Sequence, residues 1–385
     1  MAKNGYHVID SDMHLVEPAD LWLRYMDRKY RSVAPVGDAT EPWSIMVTIP
    51  GHPPMKTFDR IQALAADWAV KYRTHYPDEI ARGFDAPAQI GAMDREGIDV
   101  AVMFPSRGLF VLGYDSTGAA GERGIDPDFA AGIARAYNDW LHDFCGEDRR
   151  RMYGAAMVSP QNVEAAVAET RRTVEELGFK AVFLNPHAID SRPWHHPCYD
   201  PLWAECERLG VPVCFHGGGR GPGNTDFGFK VFEHLTMWHT FSHVVGVQFA
   251  MVSMIAGGVF DRFPNLQAGF LEGNCSWAPW LLWRMEEHYD YAGRVEVPLQ
   301  LRPTEYFKRN CVTSVEADEE PAALYVQAFG DARVVFSTDF PHPDAKYPHA
   351  VDKFLGCPFS DQTKRRFLWD NCAEFYHLPM TPPGA

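Results

Sequence analysis

The chain is organised around the stretch Val334-Val335-Phe336-Ser337-Thr338-Asp339-Phe340-Pro341-His342-Pro343-Asp344. Its apolar, β-branched beginning predicts a buried strand, and the two prolines that follow prevent a helix from continuing that strand. The strand ends at Asp339, although a charged side chain is seldom buried without a partner. A metal ion is a common partner for a buried carboxylate, so we expect Asp339 to belong to a metal site.

Three other predicted strands also end in side chains that can bind a metal. They are residues 8–14, which end in Asp10, Asp12 and His14, residues 211–216, which end in His216, and residues 266–272, which end in Glu272. Because side chains alternate along a strand, Asp12 and His14 lie on one face and can bind one ion together. The predicted ligands of one or two divalent ions are Asp12, His14, His216 and Asp339, with Glu272 as a further ligand. Imidazole and carboxylate ligands suit Zn²⁺, Mn²⁺ or Fe²⁺.

Composition and charge argue against several classes of function. The 385 residues include 36 basic and 51 acidic side chains, which gives a formal net charge of −15. No run rich in Lys or Arg is present, so we expect no binding to nucleic acid or to an anionic membrane. The first residues lack the apolar core of a signal peptide, and the eight cysteines form no Cys-x-x-Cys pair. Both features indicate a cytoplasmic protein with reduced thiols.

From residue 85 onward, predicted strands alternate with predicted helices. Together with the first strand at 6–14, the predicted strands are 98–104, 152–158, 179–185, 211–216, 266–272, 310–314 and 333–339. The predicted helices are 86–96, 128–144, 162–177, 199–209, 236–262, 276–289, 318–329, 346–355 and 361–375. Eight strands that alternate with helices, with polar groups at their C-terminal ends, predict an α/β fold, a (β/α)8 TIM barrel. We assign residues 1–385 to one such domain.

Two segments stand out from this regular pattern. Residues 18–84 interrupt it after the first strand and are rich in Trp and Tyr, with several prolines and arginines. One interpretation is a cap-like insertion that covers the site and contacts the substrate, and the other is a surface excursion with its own small core. The apolar segment 244–260 is short for a membrane span, so we predict a buried or interface helix and a homodimer.

Five short motifs, spread over nearly the whole chain, carry a family resemblance. They are Asp10-x-Asp12-x-His14, Phe215-His216-Gly217-Gly218, Phe260-Asp261-Arg262-Phe263-Pro264-Asn265-Leu266, Ser337-Thr338-Asp339-Phe340-Pro341-His342-Pro343 and Asp370-Asn371-Cys372-Ala373. Together they resemble the amidohydrolase superfamily, in the amidohydrolase-related branch that includes aminocarboxymuconate-semialdehyde decarboxylase and γ-resorcylate decarboxylase. The resemblance implies a metal-dependent enzyme that acts on a small molecule.

The sequence departs from that family pattern at two positions. Asp12 stands where the first His of the usual His-x-His motif is expected, and Glu272-Gly273 stands where many relatives have His-Gly. Relatives that decarboxylate usually use that His as a proton donor. A carboxylate with an ordinary pKa of about 4.3 is ionised at neutral pH and is a poor acid. The second departure therefore favours hydrolysis over decarboxylation.

The resemblance also implies catalytic roles around the metal. Asp339 accepts the proton of a metal-bound water, with Glu272 as an alternative base. His243 matches a His that follows the fifth strand in the decarboxylase branch, so it orients or polarises the substrate. His239 lies one helical turn before His243 and is a weaker candidate, as is Glu17, which follows the first motif.

Further candidates lie at or just beyond the ends of other predicted strands. Arg107 follows the second strand, His187 follows the fourth, and His342 follows the eighth. We predict that these three side chains contact the substrate, with Arg107 and His187 suited to a carboxylate.

These residues support three enzymatic hypotheses. The leading hypothesis is a metal-dependent hydrolase of a small aromatic or cyclic substrate that bears a carboxylate or carbonyl group. The first alternative is a non-oxidative decarboxylase of an aromatic or enoic acid. The second is a non-heme di-iron monooxygenase on the same barrel, because the predicted ligands suffice for two irons. A binding protein without catalysis has little use for an open metal site.

Overall fold

The computed structural model describes residues 3–52, 59–117, 124–217 and 231–382. At its centre lie eight parallel strands, each paired with the next strand along the chain. They are β1 Ile9–His14, β2 Val100–Phe104, β3 Met152–Met157, β4 Ala181–Leu184, β5 Val213–His216, β6 Ala268–Leu271, β7 Cys311–Val315 and β8 Val334–Phe336. The Ser11 hydroxyl donates to the Phe336 carbonyl (2.7 Å) and brings β8 against β1. The predicted TIM barrel is confirmed.

Helices occupy the connections between the barrel strands. The α-helices are α1 Leu21–Tyr25, α2 Ile61–His75, α3 Pro77–Ala81, α4 Ala86–Glu96, α5 Pro127–Cys145, α6 Val163–Glu175, α7 Asp200–Leu209, α8 Leu235–Ala256, α9 Val259–Arg262, α10 Ala278–His288, α11 Arg294–Glu296, α12 Pro303–Asn310, α13 Ala322–Phe329, α14 Ala350–Gly356, α15 Asp361–Arg365 and α16 Asn371–Phe375. Turns of 3₁₀-helix lie at Arg28–Val33, Arg107–Phe110 and Pro197–Tyr199, and turns of π-helix lie at Tyr289–Gly293 and Arg366–Asp370. A small antiparallel sheet pairs Val36–Gly37 with Val47–Thr48.

The helix boundaries follow from capping residues and glycines. The carboxylates of Asp85 and Asp126 each accept a hydrogen bond from the N–H three residues later, which starts α4 and α5. The prediction of one helix over 236–262 is wrong in its extent, because α8 ends at Ala256. Gly258 has a φ of 71°, a left-handed conformation that stops the helix before α9 begins.

Strand β7 lies one residue later than its predicted position at 310–314. The Asn310 side chain donates to the carbonyls of Pro264 (3.0 Å) and Leu266 (2.7 Å), and this residue ends α12. The strand then runs to Val315, so Glu316 follows it directly. A further carboxylate is thereby placed at the C-terminal end of the barrel.

Helix α8 has a buried inner face and an apolar outer face. The inner face is buried through Val247, Ala250, Met251 and Met254. The outer face exposes Met237, Phe241, Phe249 and Val252. Within the described ranges, α8 is the one helix long and apolar enough to cross a membrane, although a helix packed on a core passes the same test. Its outer face offers a surface for the predicted homodimer, which stays a prediction.

The segment 18–84 contacts the C-terminal end of the barrel. The Tyr72 hydroxyl donates to the carbonyl of Pro341 (2.7 Å), and the Lys71 ammonium donates to those of Pro343 (2.7 Å) and Ala345 (2.6 Å). These carbonyls belong to the loop that follows β8. The segment therefore packs at the end of the barrel to which the strands lead, as a cap would, while its contact with substrate stays a prediction.

A buried carboxylate fixes the loop after β2. Glu17 is fully buried and accepts hydrogen bonds from the backbone N–H groups of Ser106 (3.1 Å), Arg107 (2.8 Å) and Gly108 (2.9 Å). Burial raises the pKa of Glu17, and these hydrogen bonds act against the increase. Three charge-assisted hydrogen bonds to one loop give Glu17 a structural role that its position in the sequence does not reveal.

We predict that Glu17→Gln lowers the free energy of unfolding by about 2–4 kcal/mol, because the amide loses the charge and turns a donor towards backbone N–H groups. Urea denaturation followed by circular dichroism measures this change. Glu41→Gln is the control: Glu41 is exposed and lies 3.5 Å from Arg73, so the expected change is below about 0.5 kcal/mol. Equal stability of the two variants would contradict the role of Glu17.

Candidate metal centre

Strands β1 and β5 bring three potential ligands together at the C-terminal end of the barrel. The Nε2 atoms of His14 and His216 lie 2.9 Å apart. The Asp12 carboxylate lies beside both, with Oδ1 3.5 Å from Nε2 of His14 and Oδ2 3.1 Å from Nε2 of His216. All three side chains are buried. The predicted grouping of β1 and β5 residues is therefore present in the fold.

The hydrogen bonds of the two imidazoles fix their tautomers. Nδ1 of His14 lies 2.7 Å from the Pro105 carbonyl, and Nδ1 of His216 lies 2.9 Å from the Gly217 carbonyl. A carbonyl only accepts, so each Nδ1 carries the proton and each Nε2 presents a lone pair. Burial, together with the nearby His342 and His216, holds the pKa of His14 well below its ordinary value. Two lone pairs therefore face each other at close range.

The Asp12 carboxylate adds two more acceptor atoms. Both of its oxygens are buried and have no hydrogen-bond donor among the described residues. No Lys or Arg in the described part of the chain forms an ion pair with Asp12, so a buried salt bridge does not account for this carboxylate. Acceptor atoms that converge without a proton between them suit a divalent cation, which takes imidazole and carboxylate ligands together.

Asp339 reaches the same group of atoms from the loop after β8. Its Oδ1 lies 3.5 Å from Nε2 of His14 and 2.7 Å from Nδ1 of His342. His342 stacks on His14 with ring centroids 4.1 Å apart, and its Nε2 lies 2.9 Å from the Ser106 hydroxyl. Because His14 belongs to both groupings, Asp339 and His342 extend the first cluster and do not form a separate one. His342 is placed to orient Asp339.

Glu272 lies behind His216, on the side away from Asp12. Its Oε2 is 3.2 Å from Nδ1 of His216, and its Oε1 is 3.6 Å from Nδ1 of His243. Burial, followed by the negative charges of Asp339 and Asp12, raises the pKa of Glu272 well above its ordinary value. Glu272 therefore contacts the Nδ1 edge of His216, opposite the Nε2 atom that faces His14. Its predicted role as a metal ligand stays a prediction.

A cavity of about 240 Å³ opens beside this cluster. It is lined by His239, Thr240, His243, Val244, Glu272, Asn274, Glu316, Ala317, Ser337, Thr338, Asp339, Asp344, Ala345 and Lys346. Its size and position suit a small organic substrate. The side chains of His239 and His243 line it together, with ring centroids 4.5 Å apart.

Sequence reasoning missed two acidic residues of this cavity, Glu316 and Asp344. Burial, followed by the negative charges of Asp339 and Glu319, raises the pKa of Glu316 to about 8. The signal that singled out Asp339, a carboxylate directly after a buried strand, also applies to Glu316. This signal did not single out Glu316, because the predicted strand ended at residue 314, whereas β7 runs to Val315. Ser106, which contacts His342, carried no such signal, since a hydroxyl is common in loops.

Two predicted substrate contacts lie away from the cluster. The Arg107 guanidinium is buried and donates to the carbonyls of Glu17 and Asp38, so it holds the segment 18–84 to the barrel. His187 lines a separate cavity of about 380 Å³ between the loop after β4 and α8. An added Cβ on Gly246 of α8 would lie 3.2 Å from the His187 ring, so the two pack closely. The roles of both side chains in substrate binding stay predictions.

Comparison with known proteins identifies the family. The family model described as Amidohydrolase matches residues 108–378, which is more than half of the chain. The chain belongs to the amidohydrolase family. The resemblance inferred from the five motifs is confirmed, including its decarboxylase branch.

Curated relatives of this chain are decarboxylases. The 2-amino-3-carboxymuconate-6-semialdehyde decarboxylase of Dictyostelium discoideum is 27% identical over 306 residues, which cover 77% of each chain. The γ-resorcylate decarboxylase of Rhodococcus jostii is 30% identical over 271 residues, which cover 67% of this chain and 78% of the relative.

A solved structure shows the same fold. The 5-carboxyvanillate decarboxylase of Novosphingobium aromaticivorans superposes with a TM-score of 0.68 at 21% identity, covering 98% of this chain and 97% of that protein. That enzyme was crystallised with manganese and 4-hydroxy-3-methoxy-5-nitrobenzoic acid.

We predict that His216→Ala removes most of the metal from protein purified without added metal, because one of the two facing imidazoles is lost. Elemental analysis by mass spectrometry measures metal per chain, and circular dichroism checks that the barrel is folded. His195→Ala is the matched control, since His195 lines the separate cavity beside α8 and should keep full metal content. A folded His216→Ala protein with full metal content would refute the assignment.

Proposed function

We propose that this member of the amidohydrolase family is a metal-dependent, non-oxidative decarboxylase of a small aromatic or enoic carboxylic acid. The observation that carries the proposal is the cluster of Asp12, His14, His216 and Asp339 beside a cavity of substrate size. The relatives named above, which decarboxylate acids of this kind, support the choice of reaction. The proposal adopts the decarboxylase alternative in place of the hydrolase that the sequence favoured.

The residues of the cluster would hold one divalent ion. Asp12, His14, His216 and Asp339 supply two imidazole nitrogens and two carboxylates, and the backbone carbonyls of Pro105 and Gly217 lock the imidazoles in place. When bound, the ion supplies an electrophilic centre for oxygen atoms of the substrate. The surrounding protein excludes water from the cluster, because all of its members are buried or nearly so.

Decarboxylation also requires a proton donor on the substrate side. Breaking the bond between the substrate carbon and its carboxylate releases carbon dioxide and leaves an electron pair on that carbon, which then takes a proton. Glu272 lines the cavity and contacts His243, so it is positioned to donate that proton and to regain one from water.

The objection drawn from the sequence was that Glu272 is ionised and therefore a poor acid. That objection assumed an ordinary pKa, whereas burial raises the pKa of this carboxyl. A cation bound by Asp12 and Asp339 would offset the repulsion from those two carboxylates, but the burial of Glu272 would remain. Glu272 can thus stand in for the histidine that relatives carry at the end of strand six.

We predict that the purified protein releases carbon dioxide from γ-resorcylate or 5-carboxyvanillate without consuming oxygen. Removing the metal with a chelator should abolish this release, and adding Mn²⁺ or Zn²⁺ should restore it. A carbon dioxide sensor and an oxygen electrode, read in the same reaction, measure both quantities. Asp12→Asn is the control for metal dependence and should be inactive.

Two outcomes would contradict decarboxylation. Oxygen uptake coupled to hydroxylation, with two irons per chain, would favour the di-iron alternative. Cleavage of an ester or amide of the same acids, with no carbon dioxide released, would favour the hydrolase.

We predict that Glu272→Gln lowers kcat by about 10²–10⁴-fold, because the amide cannot donate the proton that the substrate carbon needs. Metal content should stay unchanged, since Glu272 contacts Nδ1 of His216 and not the facing Nε2 atoms. Steady-state kinetics and elemental analysis of the same preparation separate the two effects. Loss of metal in Glu272→Gln would assign Glu272 to the metal instead of to proton transfer.

A further inference from the structure

A third cavity lies at the opposite end of the barrel from the metal cluster. It has a volume of about 430 Å³. It is lined by Lys308, Val312, Tyr325, Phe329, Ala332, Arg333, Arg366, Asn371 and Glu374. Lys308 precedes β7 and Arg333 precedes β8, whereas the cluster residues end strands or follow them. Because the strands are parallel, the cavity belongs to the N-terminal face and is separate from the proposed active site.

The cavity gathers positive charge in a chain whose net charge is −15. Lys308, Arg333 and Arg366 line it, against one acidic side chain, Glu374. Arg366 also has a carboxylate partner in Asp331, at 3.3 Å. The Arg333 guanidinium, in contrast, forms no hydrogen bond or ion pair with any residue that the structure describes. Arg333 is partly buried, and a guanidinium with five donors and no partner among the described residues is available for an anion.

Two irregular stretches of backbone meet at this cavity. Arg333 has a φ of 66°, a left-handed conformation that side chains other than glycine rarely adopt. The C-terminal helix changes to a π-helical turn at Arg366–Asp370, between α15 and α16. The Asn371 side chain donates to the carbonyls of Asp331 (2.9 Å) and Val334 (2.7 Å), which holds Arg333 in its unusual conformation. Strained residues and π-turns occur preferentially at functional sites.

Part of the cavity wall is apolar. Tyr325 and Phe329 of α13 line it together with Val312 of β7, and the Lys308 ammonium lies 5.7 Å from the centre of the Phe329 ring. Phe329 is the partly exposed member of this apolar part, because Tyr325 and Val312 are buried. A ligand that fills this space therefore presents oxyanion charge to the basic side chains and an apolar group to the Phe329 ring.

We propose that this cavity is a binding site for a small dianionic oxyanion joined to an apolar ring or chain, such as a phosphate monoester or a dicarboxylate. Arg333 provides the principal contact, and Lys308 and Arg366 complete the positive wall. The site is independent of the proposed decarboxylase activity, because its residues lie at the other end of the barrel.

We predict that phenyl phosphate binds the metal-loaded protein, as measured by isothermal titration calorimetry, and that Arg333→Gln weakens this binding about tenfold or more. Arg333→Gly is a second variant: it removes the guanidinium but suits the left-handed backbone, so it should fold well and also lose binding. Arg365→Gln is the matched control. Arg365 is exposed at the end of α15, next to Arg366 but outside the cavity lining, so this variant should bind phenyl phosphate as the unchanged protein does.

Additional probes separate the parts of the proposal. Phthalate in place of phenyl phosphate tests whether the site binds a dicarboxylate. The compound with the lower Kd identifies the type of oxyanion that the site prefers. Inorganic phosphate should bind more weakly than either, and benzamide, which is neutral, should not bind. Binding of phenyl phosphate that is unchanged in both Arg333 variants, or no binding at all, would overturn the proposal. Equal binding of inorganic phosphate would overturn its apolar part.

Discussion

The structure depends on a set of acceptor atoms that the fold forces together. Nε2 of His14 and Nε2 of His216 face each other at 2.9 Å with the Asp12 carboxylate beside them. Without a cation this arrangement is unfavourable, because lone pairs and a negative charge lie in a buried space that lacks donors. The barrel supplies the rigidity that holds them there, since the two histidines end β1 and β5. A divalent ion bound by these atoms would make the arrangement favourable.

Residues outside the cluster keep its members in place. Carbonyls of Pro105 and Gly217 fix the two imidazole tautomers, so each loop that follows a strand also sets the chemistry of a ligand. Buried carboxylates fix the loops themselves. Glu17 binds the loop after β2, and Glu319 accepts hydrogen bonds from the N–H groups of Cys275 (3.0 Å) and Ser276 (2.9 Å) after β6. The loops around the site are thus held by buried carboxylates that bind their backbone N–H groups.

Backbone strain marks two of the four carboxylates that line the cavity. Glu272, which directly follows β6, and Asp339, which lies in the loop after β8, have positive φ angles of 49° and 55°. Such conformations are unfavourable for residues other than glycine and persist where the surroundings impose them. Both side chains line the cavity. This agrees with the roles proposed for Asp339 in holding the metal and for Glu272 in proton transfer.

Much of this organisation could be predicted from the sequence, because it depends on periodicity and on residue type. Buried strands that end in Asp12, His14, His216 and Asp339 are visible as apolar runs that stop at potential ligands. The pKa of Glu272 could not be predicted, because it depends on burial and on carboxylates that are distant in sequence. The contacts of Arg107 could not be predicted either, since only the fold shows that its guanidinium donates hydrogen bonds to the backbone carbonyls of Glu17 and Asp38.

The most direct test of the account is X-ray absorption spectroscopy at the edge of the metal that the purified protein contains. The account predicts a single ion with scattering from two imidazoles and with nitrogen and oxygen ligands at about 2.0–2.2 Å. A second metal at about 3.5–4 Å, or a first shell without imidazole, would contradict it.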